Sequence, residues 1–116
     1  MEIRTESIEG FNCVFLKGRL DIAGTQAVDL KFTALTATQR LPVMVDLSEV
    51  DFISSIGIRL LATNAKTLHS YGARMVLIRP QAAVANILRS AGIDQLIPIA
   101  DSSSDGANLL KLQTQS

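Results

Sequence analysis

Two short apolar runs, Val43-Met44-Val45-Asp46-Leu47 and Met75-Val76-Leu77-Ile78, constrain this chain more than anything else in it. Both are short and rich in branched residues, so each reads as a buried strand. Between them Gly57, Leu60, Leu61, Asn64, Ala65 and Leu68 recur at spacings of three and four, which predicts an amphipathic helix. Two buried strands joined by a helix predict a right-handed βαβ unit with parallel strands.

The flanking segments extend this pattern. Residues 2–8 and 11–16 predict two strands joined by a tight turn at Glu9-Gly10, hence an antiparallel hairpin. Lys17-Gly18-Arg19-Leu20-Asp21 reads as a loop. Ala27, Val28, Leu30, Ala34 and Leu35 outline a first helix over 24–35, followed by a polar connection to Pro42. The second helix is expected over 56–70, ending at Tyr71-Gly72. Val84, Ile87, Leu88 and Ala91 give a third helix closed by Gly92. Residues 96–99 read as a last strand, placed at an edge by Pro98, and a fourth helix follows Asp101 to Asp105. Residues 114–116 are expected to fray. The expected fold is α/β: one domain over 1–116, with a mixed sheet of about five strands and about four helices.

Composition narrows the function. Apolar residues make up 47% of the 116, so the chain has a core to bury. Eleven basic and eleven acidic residues cancel without a basic stripe, which argues against direct nucleic-acid binding. No apolar run approaches membrane-spanning length, so no membrane insertion is expected, and Met1-Glu2-Ile3-Arg4 lacks a signal peptide's apolar stretch. The expected location is cytoplasmic. Cys13 is the single cysteine, which excludes an internal disulfide and a thiolate metal cluster. Its alternation with Phe11 and Phe15 places it in the core.

Candidate chemistry centres on Ser54 and Ser55, where a strand hands over to a helix. Unpaired backbone N–H groups at a helix start favour negative charge. A phosphate on Ser55, or on Ser54, would meet those donors; an ordinary serine N-cap is the simpler reading. Ser55-Ile56-Gly57 supplies half of a nucleophile elbow, but Ile53 stands where its first glycine belongs. The one histidine, His69, lies fourteen residues along the same helix, roughly 21 Å away at about 1.5 Å per residue. No catalytic residue is therefore assigned, and His69 reads as a surface residue near a helix end. Partners for a metal are lacking, and so is a glycine-rich phosphate loop. No cofactor is expected, and any ATP would be brought by a partner. Asp46 reads as a structural residue ahead of a site residue, and Arg19 as a solvated charge. Ile58 either faces outward beside Arg59 as part of a docking surface or belongs to a wide core stripe.

The pattern Asp-Leu-Ser-x-Val-x-Phe-Ile-x-Ser-x-Gly-Ile over residues 46–58, with Gly18-Arg19-Leu20-Asp21 upstream, resembles the STAS-domain anti-sigma factor antagonists. The likeness extends to Ser90-Ala91-Gly92-Ile93-Asp94-Gln95-Leu96. It implies a binding module switched by phosphorylation of the serine between strand and helix. Aligning Phe52, Ile53, Gly57 and Ile58 puts that serine at Ser55. The preceding residue, commonly Asp in the family, is Ser54 here, which makes Ser54 the alternative acceptor. The implied partners are an anti-sigma factor that is also a serine kinase, and a serine phosphatase. The implied contact surface is Asp21, Ser54, Ser55, Ile56, Gly57, Ile58 and Arg59, on a monomer or weak dimer. Asp21 matches the family's loop aspartate near the serine; alternatively it caps the first helix. A second use of the same fold is a scaffold or subunit of a stress-signalling complex or lipid-transport ATPase.

Overall fold

Alternation along the central strand sorts its residues to two sides of a sheet, and both sides are covered. The structure, a computed structural model, describes residues 1–114. Its elements are β1 (Glu2–Ile8), β2 (Phe11–Leu20), α1 (Ile22–Leu35), β3 (Val43–Ile53), α2 (Ser55–Ser70), β4 (Met75–Ile78), α3 (Ala82–Ser90), β5 (Ile99–Ala100) and α4 (Ser103–Thr114). Short 3-10 turns occupy Ala37–Gln39 and Ile93–Gln95. Of the residues expected to fray, Gln115 and Ser116 lie outside the described residues, and Thr114 ends α4.

The strands lie in the order β1-β2-β3-β4-β5. Only β1 runs antiparallel to its neighbour; β2 to β5 are parallel. The hairpin turn at Glu9-Gly10 has φ of 51° and 85°, the left-handed pair that a two-residue hairpin demands. Each later crossover steps the same way across the sheet, and helices α1 to α3 share one face. There Val28 and Phe32 (α1), Leu60, Leu61 and Leu68 (α2), and Val84 and Leu88 (α3) pack with Val43, Val45 and Leu77. The other face is smaller: Cys13, Met44, Val76 and Ile78 meet Ala107 and Leu110 of α4. Cys13 is thus a core residue, as its alternation predicts.

Several boundaries differ from those expected. Residues 17–20 are strand, not loop, because β2 continues in parallel register with the second half of β3. Register shifts between Phe15 and Lys17 and between Gly18 and Arg19 absorb the irregularity, with Gly18 at φ 122°. The buried strand runs on past Leu47 to Ile53, with Val50 and Ile53 buried and Glu49 and Asp51 exposed. Helix α1 begins at Ile22 and α2 at Ser55, each earlier than expected. On α1, Thr25, Val28 and Phe32 are buried while Leu30 is 89% exposed. Leu96 closes a 3-10 turn, so the last strand shrinks to Ile99–Ala100; it lies at one edge of the sheet, with β1 at the other.

Candidate functional site

The seam between the end of β2 and the start of α2 carries the predicted residues. Ser54 has extended backbone angles and is the N-cap of α2. Its N–H donates to the Leu20 carbonyl oxygen at 2.9 Å, and its hydroxyl donates to the same oxygen at 2.8 Å. The hydroxyl oxygen also accepts a long contact from the Gly57 N–H at 3.5 Å. Ser54 is half-buried and its hydroxyl proton is engaged.

Ser55, the first residue of α2, is exposed, and its hydroxyl makes no hydrogen bond among the described residues. In the first helical turn the N–H groups of Ser55 and Ile56 lack intrahelical acceptors, so the positive end of the helix faces outward here. Arg59, one turn on from Ser55, is exposed and has no ion pair among the described residues. Residues four apart on a helix are neighbours, so Arg59 is within reach of an anion on Ser55.

Gly57 is buried against the seam. A Cβ there would lie 2.9 Å from the Leu20 carbonyl oxygen and 3.0 Å from Ile53 Cγ1 and Leu20 Cβ. Only glycine lets α2 approach β2 this closely. Ile58 is half-buried and packs against the main core; Ile56 is half-buried at the edge of a groove between α1 and α2.

Asp21, directly after Leu20, is the N-cap of α1: its Oδ1 accepts from the Gly24 N–H at 2.8 Å. The two helices that flank the seam are therefore capped by Asp21 and Ser54, one residue and one hydrogen bond from the same Leu20 carbonyl. Arg19 is more than a solvated charge. Its Nε lies 3.6 Å from Asp21 Oδ2, and its guanidinium sits over the Phe52 ring at 4.5 Å. Sequence reading missed Leu20 because its part is played by a backbone carbonyl, which no residue type announces.

The remaining candidates resolve as structure. Asp46 is 2% exposed; its Oδ1 accepts from the Ser48 N–H at 2.8 Å and the Ser48 hydroxyl at 2.6 Å. Arg79 Nε lies 3.5 Å from Asp46 Oδ2 and compensates the buried charge. Burial pushes the Cys13 thiol up to about 12, with the Asp46 and Glu6 carboxylates adding to the shift. His69 is exposed in the last turn of α2. Among the described residues no group of three or more His, Cys, Asp or Glu could hold a metal ion. No described helix is long and apolar enough to cross a membrane.

Known proteins share this fold. BtrV of Bordetella bronchiseptica, provisionally named an anti-sigma factor antagonist, is 25% identical over 111 residues, 96% of each chain. An anti-sigma factor antagonist from Mycobacterium paratuberculosis superposes with a TM-score of 0.84 at 21% identity, covering 95% of this chain and 93% of that one. SpoIIAA in its unphosphorylated form gives 0.75 at 15% identity, over 95% and 96% of the two chains. Bacillus SpoIIAA in its phosphorylated form gives 0.67 at 14%, over 92% and 97%. At these identities the structural likenesses establish the fold. A family model of the STAS domain matches residues 2–106, a span that takes in all five strands, both serines and the Leu20 seam, and the chain belongs to the STAS domain family.

Proposed function

We propose that this protein is an anti-sigma factor antagonist, a cytoplasmic binding module that docks the Ser55 surface on an anti-sigma factor and so frees a sigma factor. In this reading the anti-sigma factor is also a serine kinase, brings its own ATP, and ends the interaction by phosphorylating Ser55. A serine phosphatase resets the cycle, and the chain itself performs no catalysis. The observation that carries the proposal is the contrast between the two serines. The Ser55 hydroxyl is exposed and uncommitted, whereas the Ser54 hydroxyl is half-buried and bonded to Leu20. A kinase needs a hydroxyl it can reach, so Ser55 is the acceptor.

A phosphate on Ser55 adds about −1.5 to −2 charges at pH 7. On the free protein the start of α2 and Arg59 accommodate it. Within a tight interface the same charge disrupts packing and pairing, and breaking one buried interfacial pairing costs about 2–5 kcal/mol. That is enough to lower affinity more than tenfold. The family's SpoIIAA, solved in both unphosphorylated and phosphorylated forms, supports the reading by likeness of fold.

The test is site-resolved phosphate mapping of the protein from its native cells in growth and stress, followed by binding of Ser55→Ala and Ser55→Asp to the kinase partner. The expected result is phosphate on Ser55 that changes with condition, tight binding of the alanine variant and weak binding of the aspartate variant. Equal binding of both variants overturns the switch. Absence of phosphate under every condition reassigns the chain to a scaffold or subunit role.

A further inference from the structure

Helices α1 and α2 leave between them a groove of about 590 Å³, open along a rim of exposed side chains. Its lining includes Thr25, which is 2% exposed. The Thr25 hydroxyl is the one buried side-chain polar atom among the described residues that lacks a hydrogen-bond partner. Buried hydroxyls are nearly always bonded, so one left over beneath a groove points to a partner that arrives from outside.

Charge is placed at both ends. Arg59 lines the groove near the start of α2, and Arg40 lines it beside Tyr71 at the other end. Neither guanidinium is ion-paired among the described residues. Arg40 sits over the Tyr71 ring at 4.1 Å and has left-handed backbone, φ 54°, which few non-glycine residues adopt. From Arg59 to Tyr71 the helix advances roughly 18 Å at about 1.5 Å per residue. That is too long for one small anion to touch both ends. It equals about five residues of extended chain, at roughly 3.3–3.6 Å each. Between the arginines, Thr63 on α2 and Asp29 on α1 supply a hydroxyl and an unpaired carboxylate along the walls, and the Thr67 hydroxyl, which donates to the Thr63 carbonyl oxygen at 3.1 Å, keeps its acceptor lone pairs. Hydroxyl and carboxylate groups at intervals suit the N–H and C=O groups of a peptide backbone.

We infer that the α1–α2 groove docks an extended acidic peptide segment of the protein's partner, with carboxylates about five residues apart held by Arg59 and Arg40. The inference rests on the reading of this chain as a protein-binding module. It does not depend on phosphorylation, and it is tested with the unmodified protein alone.

The experiment titrates isotope-labelled protein with an acetylated, amidated hexapeptide bearing Glu at both ends and alternating Ala and Ser between. Controls are the same peptide with its two Glu adjacent, the Gln version, and inorganic phosphate. The expected result is saturable amide shifts confined to the groove, including Thr25, Asp29 and Thr63. The end-spaced peptide should bind best, and the double variant Arg40→Gln/Arg59→Gln should weaken it about tenfold or more, because charge-assisted bonds at both ends are lost. Both side chains are exposed, so the variant keeps the fold, which its amide spectrum verifies. Thr25→Val should weaken binding while leaving the free protein folded. Absent or scattered shifts, indifference to the double variant, or equal binding of phosphate overturns the inference. If peptide binding fails while Ser55 variants still discriminate in partner binding, the switch stands and only the groove assignment falls.

Discussion

The Ser54 hydroxyl and the Leu20 carbonyl, 34 residues apart in sequence, are joined by a 2.8 Å hydrogen bond that ties the start of α2 to the end of β2. The Ser54 N–H reaches the same oxygen at 2.9 Å. One backbone carbonyl therefore anchors the helix whose first residue is the proposed phosphate acceptor. Adjacent serines acquire different duties: Ser54 holds the helix, and Ser55 faces outward.

Substitution should separate those duties. Ser54→Ala removes the cap and the tie to Leu20, and should cost about 1–2 kcal/mol in chemical denaturation. Ser55→Ala, at an exposed position without a hydroxyl partner, should stay within about 0.5 kcal/mol of the wild type. In cells the Ser54→Ala protein should still carry phosphate on Ser55, and the Ser55→Ala protein should carry none at this turn. Mass spectrometry of the two variants reads both outcomes. Phosphate on Ser54 in the Ser55→Ala protein would contradict the assignment.

Gly57→Ala inverts the usual helix rule. In an open helix the change gains about 1 kcal/mol from propensity. Here the added methyl meets the Leu20 carbonyl oxygen at 2.9 Å, and a backbone atom cannot rotate away. Helix α2 must shift off β2, so a net loss of roughly 1–3 kcal/mol is expected. Amide shifts at Leu20, Ile53 and Ser54 should report the displacement. A stabilised Gly57→Ala protein with unshifted amides would show that the seam is looser than its geometry.

Much of this layout was legible in the sequence, because Met75–Ile78, the Gly57 to Leu68 periodicity and the Glu9-Gly10 turn are strong local signals. Other parts were hidden for physical reasons. Ser48 and Glu49 interrupt the apolar run of β3, yet the strand continues because β2 supplies a partner for its second half. That pairing is non-local, and it also turns the apparent loop at Lys17 to Leu20 into strand. Helix α1 carries apolar residues on both sides, with Ala23, Ala27, Leu30 and Ala34 outside and Val28 and Phe32 inside, so its periodicity is weak. Leu30, one of the residues that outline this helix in the sequence, is exposed, and Thr25 and Phe32 are buried with Val28 instead. At the seam the serines and Asp21 were visible, but their common anchor is a carbonyl, and carbonyls have no sequence signature.

Asp21 offers a way to separate capping from charge. Its Oδ1 caps α1 through the Gly24 N–H, and Oδ2 faces Arg19. Asp21→Asn keeps an N-cap acceptor of nearly equal quality, so stability should change by a few tenths of a kcal/mol, whereas Asp21→Ala should cost about 1 kcal/mol. If the carboxylate also helps to expel the partner once Ser55 is phosphorylated, the phosphorylated Asp21→Asn protein should bind its partner more tightly than the phosphorylated wild type. The unphosphorylated pair should show a smaller difference. Equal affinities of the two phosphorylated proteins would leave Asp21 with capping alone.

Cys13 gives a pH dependence with a definite sign. Its side chain is buried between the sheet and α4, and burial holds the thiol neutral up to about 12 against an ordinary value of 9.0. Below about pH 9 the thiol is protonated in both folded and unfolded chains, so it contributes no slope. Above that, the unfolded chain releases the proton while the folded chain keeps it, and the equilibrium moves toward unfolding. The stability contributed by the buried neutral thiol is therefore complete below pH 9 and lost as pH rises toward 12. Other groups titrate in the same interval, so the measurement compares wild type with Cys13→Ala, which lacks this proton. The alanine variant should be less stable at pH 7, because a core methyl-sized gap is left. Its deficit should shrink steadily between pH 9 and 11 in paired denaturation curves. The same burial predicts that a thiol reagent at pH 8 modifies Cys13 only as fast as the chain opens, with denaturant accelerating the reaction in step with unfolding. Rapid modification of the folded protein, or a stability gap independent of pH, would show that the thiol is solvated rather than sealed beneath α4.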